Sequence, residues 1–333
     1  MTKLSNKQYG SLLSNISKII EQGKREAYAN LSNIIIKTYW EIGREIVEFE
    51  QKGEKRAEYG KKILDKLYKD LKQEHGKGFN RSNVYAMRQF YICFPNFPDA
   101  SGKLTWSHFV ELISVSDNLA RSFYKKQCIS EKWSVRELKR QINAMLFERI
   151  ALSKNKKGVL KLAEKGQIIK KGHDLVREPY ILEFLGIPEN HKFSEKELEQ
   201  KIIDNLQMFL LELGKGFAFV KRQFRMTLSN KHFYADLFFY HRILKCFVII
   251  DLKLGEVSHG DVGQMNMYFN YFKTEENAND DNDPIGIILS GRKNDLTVEY
   301  ALGGISNQLF VSKYQLYLPK KEELEAEVRR LLE

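Results

Sequence analysis

The run CFVIIDLKLG, Cys246 to Gly255, constrains the fold more than any other stretch of this chain. Its first five residues are apolar, a pattern that suits a buried strand. Two charged residues follow, Asp251 and Lys253, with one leucine between them. Side chains alternate along a strand, so residues two apart share a face. Asp251 and Lys253 therefore project together, and Leu252 points to the other side. An isolated buried charge is costly, so this pair needs each other, a metal or water.

The segments around it have the same texture. FAFVKRQFRMTL, HFYADLFFYHR, PIGIILSG and QLFVSKYQLYL read as further strands. SEKELEQKIIDNLQMFLLELGKG predicts one helix over Glu195 to Leu213, capped near Ser194 and closed by Gly214. GDVGQMNMYFNYFKTEEN predicts a helix between two of the strands, and KEELEAEVRRLLE a terminal one. The first half instead carries apolar residues at three- and four-residue spacing throughout. YGSLLSNISKIIEQG predicts one helix, and a second, long one runs from about Lys24 to Gln51 and ends at Gly53. NRSNVYAMRQFY predicts a helix capped by Asn80 or Ser82 and stopped by Pro95 and Pro98. The expected class is α+β in two domains: an all-helical region over 1–155, a linker over 156–174, and a mixed central sheet flanked by helices over 175–333.

The net charge of +11 is uneven: residues 1–180 carry +15 and the remainder −4. A basic half joined to a mildly acidic one suggests a polyanionic partner, gripped mostly by the first half. No stretch approaches the roughly 18 apolar residues of a membrane helix. The N-terminus has no apolar run after its lysines, so no signal peptide is expected. Three separated cysteines, Cys93, Cys128 and Cys246, fit reduced thiols in a cytoplasmic protein. There is no CxxC or HxxxH pattern to hold zinc, and His241 and His259 are expected at the surface.

Asp236 is a lone acid in the strand FYADLFFY. A hairpin turning near Arg242 to Leu244 would bring it beside Asp251, so two acids and Lys253 converge. Metal-assisted phosphodiester hydrolysis needs such a set. Mg²⁺ takes oxygen ligands, usually one or two carboxylates with waters and phosphate. A lysine next to the acids suits an anionic substrate and can orient a water or offset developing charge.

This arrangement resembles the PD-(D/E)XK nuclease superfamily, with Asp236, Asp251 and Lys253 as its acid, acid and lysine. Residue 235 is alanine where the pattern has proline. The resemblance implies a third acid from the preceding helix, for which Glu199 is the candidate, ahead of Glu195 and Glu197. It also implies a Q-x-x-x-Y element, matched by Gln264 and Tyr268, with Gln264 supporting the site and Tyr268 on a helix lining the substrate. Along nearly its whole length the chain resembles the YhcG-like family of this superfamily. The motifs are GFNRSNVYAMRQFY, LTWSHFVELI, WSVRELKRQI, FYADLFFYHR, VIIDLKLG and GQMNMYFNY. That resemblance implies DNA cleavage dependent on Mg²⁺ or Mn²⁺, with Asp236, Asp251 and Glu199 as ligands, and an association with restriction-modification or mobile-element loci.

For the nucleic acid itself, NRSNVYAMRQFY is the candidate recognition helix, through Arg81, Asn83, Tyr85 and Arg88. Lys221, Arg222 and Arg225 in VKRQFR are candidate phosphate contacts. The long N-terminal helix, with Ile34, Ile35, Ile36, Tyr39 and Trp40, offers a surface for a homodimer. Three alternatives stay open: a DNA-binding or assembly subunit that does not cut, a junction-resolving enzyme acting as a dimer, and RNA as substrate.

Overall fold

In the computed structural model, residues 6–52, 57–97, 103–152, 154–188, 192–292, 295–303, 305 and 308–332 are described. Gly53 and Pro98, expected as helix stops, lie outside them. The chain divides into two compact units, Met1–Lys139 and Arg140–Glu333.

The first unit is helical: α1 (Asn6–Lys52), α2 (Ala57–His75), α3 (Arg81–Cys93), α4 (Trp106–Ile113), α5 (Asn118–Glu131) and the start of α6 (Val135–Asn143). One helix of 47 residues replaces the two expected at its start. A lone Gly23 costs the helix only about 1 kcal/mol, and neither a proline nor a turn pair accompanies it. Asn80 caps α3, its side chain accepting from the Asn83 N–H. The buried stripe of α3, Val84, Met87 and Phe90, packs inward. α3 runs close along α1, because a Cβ on Gly43 would overlap the Met87 carbonyl oxygen.

The second unit continues with α7 (Leu146–Ala151), α8 (Lys156–Lys165), β1 (Tyr180–Ile181), α9 (Glu195–Asp204), α10 (Leu206–Leu213), β2 (Phe217–Leu228), β3 (Lys231–His241), β4 (Cys246–Glu256), α11 (His259–Tyr271), β5 (Ile285–Arg292), α12 (Asp295–Leu302), β6 (Leu309–Gln315) and α13 (Lys321–Leu332). Helix α8 falls within the stretch expected as a linker. The single helix expected over Glu195 to Leu213 is two, broken at Asn205. The Asn205 side chain donates to the Lys201 carbonyl at 3.0 Å, competing with the helical ladder.

The strands form one mixed sheet in the order β1-β6-β5-β4-β3-β2. β4, β5, β6 and β1 run parallel, and the hairpins β2–β3 and β3–β4 add an antiparallel edge. Both faces are covered. Leu198, Ile202, Phe209 and Leu213 of α9 and α10 pack on Val248, Ile250 and Leu252. Val262, Met265 and Phe269 of α11 pack on Ile249 and Ile288 of the other face. The apolar run of β4 is thus a central strand buried on both sides. His241, expected at the surface, is fully buried: its Nε2 sits 2.9 Å from the Lys215 carbonyl, and its Nδ1 accepts the Leu244 N–H. The imidazole serves the turn between β3 and β4 as a hydrogen-bonding post. The described cysteines are free thiols.

A second buried feature holds this unit together. Glu212 of α10 is fully buried and meets Arg149 Nη1 at 2.7 Å, Arg140 Nη1 at 3.0 Å and Arg177 Nη1 at 3.7 Å. It also accepts the Ile181 N–H at 3.0 Å. Burial alone would raise its pKa, but Arg149, Arg177 and Arg140 outweigh that and hold it down at about 2.

Candidate active site

The β3–β4 ladder runs from His241/Cys246 to Leu237/Ile250 and stops. One residue further, by count, Asp236 faces Asp251. There the strands part, and Asp236 Oδ2 accepts the Leu252 N–H at 2.8 Å, which the ladder no longer uses. Alternation in β3 also slips at this point. Ala235 and Phe238 belong to the α11-side core and Leu237 to the other. β4 itself continues, paired to β5 on its far edge through Leu252/Leu289 and Lys253/Ser290.

Asp251 and Lys253 share a face as the alternation requires, with Lys253 Nζ 2.9 Å from Asp251 Oδ2. A second carboxylate, Asp261 of α11, lies 3.7 Å from the same nitrogen. Burial and the neighbouring Asp236 charge push Asp251 up to about 7, with the lysine opposing them. Burial works against the Lys253 ammonium, but Asp251, Glu195 and Asp261 outweigh it, so its pKa is raised and it stays charged.

Glu199 is buried on α9. Its Oε2 accepts from Gln223 Nε2 at 2.8 Å, and the same nitrogen donates to Asp236 Oδ1 at 3.0 Å. Arg222 Nε lies 3.0 Å from Glu199 Oε1, though that oxygen has no aligned hydrogen bond. Glu195, one turn earlier, accepts the Leu254 N–H at 3.1 Å. Glu197 closes the capping box with Ser194. On α11, Gln264 donates to the Tyr268 hydroxyl, which donates in turn to the Tyr234 carbonyl at 2.9 Å. Tyr268 is fully buried, and its pKa is raised by burial and by the charges of Asp251 and Asp236. It ties α11 to β3 beside the acids and offers no surface to a ligand.

Gln223, between Glu199 and Asp236, carried no signal in its own right. It was findable only by counting outward from the two-residue turn at Ser229–Asn230, whose positive φ values of 47° and 62° suit a tight hairpin. Pairs Arg222/Leu237 and Phe224/Ala235 then leave Gln223 across from Asp236.

Lys221 and Arg225 of β2 are exposed, while Arg222 also donates to Gln200 Oε1 at 2.8 Å. The candidates on α3 are engaged within their own unit. Arg81 meets Asp65 at 2.9 Å, and its guanidinium lies 5.0 Å from the Tyr85 ring centroid. Tyr85 donates to Asp65 at 3.4 Å, and Arg88 forks onto Glu50 at 2.7 and 3.0 Å. The Asn83 amide donates to the Gly78 carbonyl and accepts from Trp106 Nε1, at 2.6 and 2.7 Å.

Among the described residues, no three or more His, Cys, Asp or Glu side chains converge as a ready metal cage. The donor set still fits a hard cation. Asp236 and Asp251 are oxygen donors, with the Asp236 charge close enough to raise the cost of ionising Asp251, and Glu199 Oε1 is a buried carboxylate oxygen without an aligned donor. No helix among the described residues is long and apolar enough to cross a membrane.

The YhcG PDDEXK nuclease domain family matches residues 173–329. The DUF1016 N-terminal domain family matches residues 15–149. The YhcG protein of Escherichia coli (strain K12), provisionally named a nuclease, is 36% identical over 97% of this chain and 94% of its own length. A solved repair endonuclease from Pyrococcus abyssi overlaps 40% of this chain and 50% of its own, at 20% identity and a TM-score of 0.28. The EndoMS–dsDNA complex overlaps 40% of this chain and 51% of its own, at 16% identity and the same TM-score of 0.28. Likeness of that degree carries no argument. The first family match spans the sheet of the second unit, and the relative is alike almost from end to end, so the chain belongs to the YhcG family, with a PD-(D/E)XK nuclease domain as its C-terminal part.

Proposed function

We propose that this protein is a DNA endonuclease dependent on Mg²⁺ or Mn²⁺. The observation that carries the reading is the corner where β3 parts from β4, with Asp236, Asp251 and Lys253 together. A buried carboxylate paired with a half-buried lysine and set against a second acid is expensive unless it serves a ligand. When bound, the cation supplies Lewis acidity, easing deprotonation of a water and offsetting phosphate charge. Asp236 and Asp251 are the residues to hold it, with Glu199 as third acid. Lys253 remains charged, so it can orient the attacking water and steady the negative charge that grows on the phosphate oxygens as the P–O bond breaks. Gln264 supports the site through Tyr268.

Lys221 and Arg225, exposed on the same hairpin as Asp236, are the phosphate contacts we favour, with Arg222 joining if it leaves Glu199. Contact through Arg81, Asn83, Tyr85 and Arg88 requires those side chains to release partners in their own unit. The charge of +15 over residues 1–180 supports a polyanionic substrate gripped by the helical region. A role beside a restriction-modification system rests on the family resemblance.

A second reading, a structure-specific enzyme working as a homodimer, is favoured by α1. Leu13, Ile16 and Ile20, and further on Leu31 and Ile34, are exposed at three- and four-residue spacings within each group. Of the residues expected at a dimer surface, Ile36 is buried, Tyr39 packs edge-on against Trp106 with ring centroids 4.9 Å apart, and the Trp40 indole donates to the Phe94 carbonyl at 2.7 Å, leaving Ile34 and Ile35 exposed.

The test is cleavage of plasmid, linear, single-stranded and four-way-junction DNA, with an RNA control. Each is assayed with Mg²⁺, Mn²⁺ or EDTA, beside Asp251→Ala and Lys253→Ala. Cation-dependent cutting lost in both variants is expected. Cutting that survives EDTA or either substitution sinks the mechanism. Binding without cutting on every substrate favours a non-cleaving subunit.

A further inference from the structure

Gln223 stands in the middle of edge strand β2 with φ at +48°, the left-handed region that strains an L side chain. Its neighbours keep regular pairs with β3 on either side, so the inversion is confined to this residue. Its amide nitrogen has two N–H bonds, and two carboxylates use them: Glu199 Oε2 at 2.8 Å and Asp236 Oδ1 at 3.0 Å. Those acids come from different elements: α9, which packs on one face of the sheet, and the neighbouring strand β3.

The chemistry of the linker matters. A lysine or arginine here would hold both acids but cancel the charge that attracts a cation. A third acid would repel them. Asparagine is one methylene shorter. A neutral donor with two hydrogens fixes two carboxylate rotamers and leaves their negative charge intact. Glu199 Oε1 remains buried without an aligned hydrogen bond, and Arg222, whose Nε lies 3.0 Å from it, must swing away for that oxygen to take a cation.

We propose that Gln223 is a positioning residue for the cation site, a strained amide clamp that sets Glu199 and Asp236 for a divalent ion. The inference rests on the reading of this corner as a cation-dependent nuclease. The strain belongs to the arrangement: the backbone inversion turns the side chain at position 223 toward the acids.

The test is calorimetric titration of the full-length protein with Mn²⁺, which reads binding without turnover, alongside thermal unfolding without metal. Gln223→Met keeps the volume and removes both donors. It is expected to weaken Mn²⁺ binding about ten- to a hundredfold, the usual effect of losing a partner that orients a ligand. The Mn²⁺ concentration for half-maximal cleavage should rise by a similar factor. Gln223→Gly removes the clamp and relieves the backbone, so it tests the idea even if the methionine variant unfolds, and it should lose affinity equally. Asp251→Asn reports whether the binding seen is at this site. If the parent binds Mn²⁺ through Asp251 while folded Gln223→Met or Gln223→Gly binds within twofold of it, Gln223 is merely structural and the inference falls alone. If the parent binds no Mn²⁺, or binds it regardless of Asp251, the nuclease reading falls and takes the inference with it.

Discussion

Replacing Glu212 by glutamine changes one atom in a fully buried site and should cost the second unit dearly. Arg149, Arg140 and Arg177 then all lose the carboxylate of Glu212, while Arg140 keeps its contact with Glu183. The native carboxyl has its pKa lowered from 4.5 to about 2. A difference of roughly 2.5 pKa units corresponds to about 3 kcal/mol of stability at neutral pH. Breaking a buried pair by removing one partner costs roughly 3–5 kcal/mol, in the same range. For a unit of this size that is a fall in Tm of roughly 6–20 °C. The sign of the pH dependence follows from the direction of the shift. Glu212 is ionised in the folded state down to about pH 2, whereas the unfolded chain takes up its proton from about 4.5 downward. Its contribution is complete above pH 4.5 and is lost as pH falls toward 2, by about 1.4 kcal/mol per unit. Urea denaturation of parent and Glu212→Gln from pH 7 to pH 3, followed by circular dichroism, measures the gap directly. It should be widest at neutral pH and close below pH 4.5. A gap under about 1 kcal/mol at pH 7, or one constant from pH 6 to pH 3, would refute the argument that the carboxylate charge organises this core.

Three further outcomes are expected. Asp251 is raised to about 7, so a cation must displace its proton: Mn²⁺ affinity should weaken about tenfold per unit below pH 7 and level off above it, and an affinity flat from pH 5.5 to 8.5 contradicts this. Gly43→Ala would place a methyl against the Met87 carbonyl, so overpacking of about 1–3 kcal/mol should exceed the gain in helix propensity. Unfolding followed by the fluorescence of Trp40, three residues away on the same helix, reads the loss, and equal stability counts against the close crossing. The exposed stripe of α1 predicts that the parent sediments as a dimer and Ile20→Lys as a monomer; identical sedimentation removes the support that α1 gives to a dimeric enzyme.

Much of this was legible in the sequence because each signal is local and periodic. Alternation along a strand is enough to put Lys253 against Asp251, and the apolar run before them is enough to make β4 central. The helical register of α11 likewise sets Gln264 against Tyr268. Other features depend on contacts that composition cannot display. The break at Asn205 rests on one side chain capturing a carbonyl. The continuity of α1 through Gly23 reflects the absence of anything that ends a helix more than any positive mark. Gln223 and the Glu212 cluster are harder still. Their partners lie between 13 and 72 residues away, and a buried arginine looks in sequence like any surface arginine. The charged residues of α3 show the reverse. They read as a recognition face, yet the acids that occupy them, Asp65 and Glu50, come from neighbouring helices.

The Leu252 N–H bound by Asp236 has a bearing on how such a protein ages in evolution. Past the last rung of the β3–β4 ladder, a buried backbone donor needs an acceptor, and this carboxylate supplies it. Asp236 is therefore a folding residue, apart from the chemical role proposed for it. A descendant without the proposed activity would still be selected to keep an acceptor there, and Lys253 could change only together with Asp251, whose buried carboxylate it pairs.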